Sequence, residues 1–106
     1  MKLKKEGETT GRDIRELNLA LGTCRQSQDW MDRNSHMSPK EMWEQYEDGA
    51  MMLEYCSRIG VDASFTIKTR FIMHRNPRAQ WANIVRANIP YEVVRAARRK
   101  YVKEHS

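Results

Sequence analysis

The sequence predicts an all-α protein, an N-terminal antiparallel helical hairpin followed by a trihelical C-terminal unit. Apolar residues recur at three- and four-residue spacings from Ile14 to Met31, interrupted only by the polar Gln28, and again from Met42 to Cys56. Helix-start signatures stand at Thr10, Ser38, Asn76 and Pro90. One segment, Phe65 to Met73, alternates as a strand would, but the chain holds no second strand to pair with it.

The elements follow in order. Residues 1–9 are polar and aperiodic and are expected as a flexible tail. Thr10-Gly11-Arg12-Asp13 has an N-cap and an acid in the first turn, which suits the helix dipole. Ile14, Leu17, Leu21, Cys24 and Met31 then line one face of a helix ending near Arg33. Asn34 to Met37 is a short connection, and Ser38-Pro39-Lys40-Glu41 is a capping box with proline at the first helical position. A second helix is expected from there to Ile59, with Met42, Tyr46, Gly49, Leu53 and Cys56 on one face and Gly60 as its stop. The short loop makes the pair an antiparallel hairpin. In that hairpin Cys24 and Cys56 are offset by about 12 Å along the axis, too far for a disulfide.

For the third helix, Asp62 is the cap, with Phe65, Ile67, Phe71 and Ile72 as apolar residues. Asn76-Pro77 opens the next, holding Trp81, Ala82, Ile84 and Val85. A turn at Asn88-Ile89-Pro90, with Asn88 in a left-handed conformation, leads to a last helix from Pro90 to about Lys103. The expected divisions are the tail 1–9, an acidic hairpin 10–60 and a basic region 61–106.

Length and composition fit one domain: 106 residues, 40% hydrophobic and 31% charged. No run of 18 apolar residues occurs, and Met1-Lys2-Leu3-Lys4-Lys5 leads into Glu6-Gly7-Glu8, so neither a membrane span nor a signal peptide is expected. Two cysteines without Cys-x-x-Cys spacing fit a cytoplasmic protein without a disulfide framework or structural zinc. The charge is segregated. Residues 1–67 carry nine Lys/Arg against twelve Asp/Glu, and residues 68–106 carry ten against Glu92 and Glu104. A polyanionic partner is therefore expected at the C-terminal third.

The run from Pro77 to Arg99 resembles the helix-turn-helix of bacterial and phage transcription regulators. Ile89 stands where such motifs place the buried turn aliphatic, and Val94 where the recognition helix packs inward. The resemblance implies that the last helix enters the major groove of duplex DNA while the preceding one lies across the backbone. On the last helix the expected inner stripe is Ile89, Val94, Ala97 and Tyr101, which leaves Tyr91, Glu92, Arg95, Arg98, Arg99 and Lys103 outside. Tyr91, Glu92 and Arg95 are the expected base contacts, since arginine suits guanine edges and glutamate accepts from cytosine. Lys68, Arg70, Arg75, Arg78, Arg98, Arg99, Lys100 and Lys103 are the expected phosphate contacts.

Trp30, Met42, Trp43, Tyr46 and Leu53 are expected to carry self-association, because aromatics on more than one stripe leave apolar area uncovered, and two copies would read a two-part site. An equal alternative has them covering the C-terminal bundle. His36, His74 and His105 share no ligand spacing, and Cys24 and Cys56 read as small core residues. No phosphate loop, catalytic triad or carboxylate pair stands out, so the expectation is a non-enzymatic DNA-binding regulator without cofactor, metal or small-molecule substrate. Two alternatives stay open: a protein-interaction module docking on a nucleic-acid enzyme through the same basic face, and an RNA binder using the Arg-rich last helix.

Overall fold

The computed structural model describes residues 25–105, which form α1 (Arg25–Arg33), α2 (Pro39–Gln45), α3 (Gly49–Arg58), α4 (Ala63–Met73), a 3₁₀ turn (Arg78–Gln80), α5 (Trp81–Asn88) and α6 (Tyr91–His105). No strand occurs among the described residues, so the alternation from Phe65 to Met73 belongs to a helix. The expected tail, the Thr10 cap, the stripe from Ile14 to Leu21, and Cys24 lie outside the described residues.

Local chemistry sets most of the boundaries. Asn34 ends α1 by donating from Nδ2 to the Trp30 carbonyl at 2.8 Å. Ser38 and Glu41 form the capping box, with Ser38 Oγ accepting from the Glu41 amide at 3.2 Å and the Glu41 carboxylate accepting from the Ser38 amide at 3.4 Å. At the other end of the pair, the Val61 amide donates to the Cys56 carbonyl and the Gly60 amide to that of Ser57. With Gly60 at φ +87°, this is a Schellman stop, and glycine is the residue that adopts that backbone without strain.

The helix expected from Ser38 to Ile59 is two helices. Tyr46 is extended (ψ 135°), and Asp48 recaps the chain by accepting from the Met51 amide at 3.1 Å. The break is held from outside by Arg86, whose Nη1 donates to the carbonyls of Trp43 at 3.1 Å and Tyr46 at 2.7 Å. These carbonyls lie in the last turn of α2, where a helix leaves acceptors for side chains to satisfy. Just after the break, Gly49 has no room for a side chain: a Cβ at this position would sit 2.4–2.6 Å from the backbone of Trp81 and Ala82 and from Trp81 Cβ. Only a residue without a side chain lets α3 approach α5 this closely. Three-four periodicity runs through the break because both helices bury the same side, so spacing alone conceals it.

α3, α4 and α5 pack on one another. Their core holds Met52, Leu53, Cys56, Ile59, Met73, Ala82 and Val85, and the chain adds Trp43, Val61, Ile89, Val94 and Val102. Burying the expected aliphatic faces stabilises by about 25 cal/mol per Å² of apolar area. α4 departs from expectation. It buries Thr66, Thr69 and Met73, while Ile67 and Phe71 point outward. Thr69 tolerates full burial because its hydroxyl donates to the Phe65 carbonyl at 2.7 Å.

Two joints also differ from the expected chemistry. Asn76 does not cap the following helix; its Nδ2 donates back to the Ile72 carbonyl at 2.9 Å, and a 3₁₀ turn precedes α5. The Trp81 indole fixes that corner by donating to the carbonyls of Met73 and Asn76. Asn88 is the last residue of α5 and is not left-handed. Its side chain donates to the Ile84 carbonyl, and the turn is made by extended Ile89 (φ −121°, ψ 97°) followed by Pro90.

Candidate nucleic-acid interface

α6 follows α5 after only Ile89 and Pro90, and Ile89 is fully buried, as is Val85 one turn earlier. A buried aliphatic in a two-residue joint fixes the angle between the helices, because neither proline nor a packed β-branched residue has backbone freedom to spare. Pro90 supplies the carbonyl that receives the first amides of α6, from Val93 at 3.0 Å and Val94 at 3.3 Å.

The inner side of α6 is Val94, Arg98 and Val102, with Tyr91, Ala97 and Tyr101 half-buried. The expected inner stripe thus holds for Val94, Ala97 and Tyr101, but it omits Val102 and Arg98. Arg98 was expected outside as a phosphate contact and is 3% exposed. It turns inward because Tyr91, two turns before it, offers its ring face 6.0 Å from the guanidinium carbon and its hydroxyl at 3.4 and 3.5 Å from Nη2 and Nη1. Tyr91, expected among the base contacts, is correspondingly half-buried over Arg98.

Arg98 and Tyr91 help line a cavity of about 60 Å³ shared with Met42, Trp43, Met52 and Tyr55. The Tyr55 side chain is among those lining it, beside Arg98. Burial raises its pKa well above the usual phenol value, against the pull of the Arg98 charge. Beside it, burial pushes the Cys56 thiol up to about 12.

The outer side of α6 presents Glu92, Ala96, Arg99, Lys100 and Lys103 to solvent, with Arg95 half-buried at the edge. Glu92, Arg95 and Arg99 recur at helical spacing on one side, and Ala96, Arg99 and Lys103 continue it. Lys100 pairs with Glu104 at 3.9 Å, but side chains 78% and 56% exposed make such a pair worth little. Lys68, Arg70, Arg75 and Arg78 are exposed but belong to α4 and the corner after it. Two of them are engaged locally, Arg75 at 4.2 Å from the Phe71 ring centroid and Arg78 at 5.2 Å from that of Trp81.

Of the residues expected to carry self-association, Met42, Trp43 and Leu53 are core residues of a single chain, out of reach of a second copy. Trp30 and Tyr46 stack edge to face at 4.9 Å, and the Tyr46 hydroxyl bonds Ser27. Tyr46 also packs against the core of the chain. Nothing in the sequence marks Arg86, because a basic residue within a basic third carries no sign of a carbonyl cap 40 residues away.

No group of three His, Cys, Asp or Glu among the described residues could hold a metal ion, and no helix there is long and apolar enough to cross a membrane. Compared with known protein families, curated proteins and solved structures, the chain matches none.

Proposed function

We propose that the chain is a small DNA-binding regulator that reads duplex DNA with α6. The observation supporting this is the joint at Ile89–Pro90: it fixes a helix whose inner side packs Val94 and Val102 beside the buried Arg98 and whose solvent side carries Arg99, Lys100 and Lys103, with Arg95 at its edge. In this reading α4, α5 and α6 are the trihelical helix-turn-helix, and α1 to α3 brace it as part of the N-terminal hairpin. Arg95 and Glu92 meet base edges, Arg99, Lys100 and Lys103 hold phosphates, and Arg98 and Tyr91 set the helix in place from within.

A titration of the full chain against random duplex DNA, hairpin RNA and single strands, repeated at several salt concentrations, tests this. Duplex should bind most tightly, with log K falling linearly in log salt. Tighter binding to hairpin RNA would make the protein a shape reader of RNA. No binding to any of them at low salt would remove nucleic acid from the account.

A further inference from the structure

We propose that the outer face of α4 is a docking surface for an acidic amphipathic helix of a partner protein. Ile67 and Phe71 are the large hydrophobic side chains left exposed among the described residues, at 63% and 58%. Singly exposed apolar residues are ordinary, but these stand one helical turn apart. With Ala63, Ile72 and the Lys68 stem they line one shallow recess. The helix has turned its threonines inward and left this pair outside, which costs apolar burial unless something covers it.

Charge decides what covers it. Residues 63–91 contain no carboxylate, and Lys68, Arg70, Arg75 and Arg78 around the face are all exposed. The Arg75 guanidinium already lies over the Phe71 ring, so cation and apolar surface are presented together. Pairing of this face with the same face of a second copy sets arginines against arginines. The acid-rich half of a second copy offers carboxylates, but among its described residues Met42, Trp43 and Leu53 are buried and are not free to cover Ile67 and Phe71. A phosphate backbone would meet the cations and leave the apolar pair in water. A helix with an apolar stripe flanked by Glu or Asp satisfies both, in the manner of helix-in-groove recognition.

The probe is a synthetic helical peptide with Leu at i, i+3, i+4 and i+7 and Glu on the flanks, compared with its Lys-for-Glu counterpart and a scrambled version. Each is titrated into the full chain and followed by amide NMR. The acidic peptide should saturate and shift amides of residues 63–75, bind roughly tenfold more weakly to Phe71→Ser and to Arg75→Glu, and bind Arg99→Ala as it binds the parent chain. Phe71 is exposed, so Phe71→Ser should keep the parent helical circular dichroism. The proposal is overturned if the acidic peptide binds no more tightly than the other two. It is also overturned if duplex DNA or anionic vesicles shift Ile67 and Phe71 and the peptide does not.

Discussion

Arg98 and Arg99 are adjacent in the sequence and opposite in fate, one buried over Tyr91 and the other in solvent. Their variants should separate accordingly. Arg98→Ala should lower stability by about 2–4 kcal/mol, since it leaves buried space and breaks hydrogen bonds to a charged group. Arg99→Ala should leave the urea midpoint within error, as exposed substitutions usually do. Equal midpoints for both would refute the inward placement of Arg98. A second residue-scale expectation concerns pH. Cys56 ionises in the unfolded chain near its ordinary 9.0 and in the folded chain only near 12. Its contribution to stability is therefore complete below pH 9 and declines between pH 9 and 12, by about 1.4 kcal/mol per unit for one proton. Tyr55 acts with the same sign from about its usual 10.0 upward. Urea midpoints from pH 8 to 10.5 should fall in the parent and less steeply in Cys56→Ala.

Elements whose ends are set by local side chains were legible in the sequence. The Ser38 capping box, the Gly60 stop, the Asp62 cap and the proline before α6 all stand where the residues point. Illegible were features decided by distant partners. Arg86 closes α2 across the fold, Gly49 admits the close approach of α5, and tertiary packing turns the threonines of α4 inward. The last helix followed the same rule: exposed Glu92, Arg99 and Lys103 are readable from helical spacing, whereas the inward turn of Arg98 depends on a ring two turns away. The break between α2 and α3 is testable. Gly49→Ala forces backbone against backbone and should cost about 1–3 kcal/mol, although alanine is the better helix former. Asp48→Ala should cost about 1 kcal/mol through its lost cap. A Gly49→Ala chain as stable as the parent, by urea denaturation, would mean that α3 and α5 are further apart than described.

At the scale of the molecule, charge is sorted along the chain, and the exposed apolar pair lies in the carboxylate-free stretch. Like charges around α4, together with burial of Met42, Trp43 and Leu53, predict a monomer at tens of micromolar, roughly the range of weak dimers. Sedimentation showing a dimer there would place an interface outside the surfaces described. If the solvent side of α6 reads duplex DNA as proposed, its variants separate base contacts from phosphate contacts. Binding of parent, Arg95→Ala and Arg99→Ala is measured on a selected site and on random duplex across a salt series. Arg95→Ala should lose about 1–3 kcal/mol on the selected site and relax specificity, while Arg99→Ala should weaken both duplexes alike and lower the salt slope by about one. Equal, sequence-independent losses from the two variants would contradict the claim and leave α6 a helix that binds charge alone.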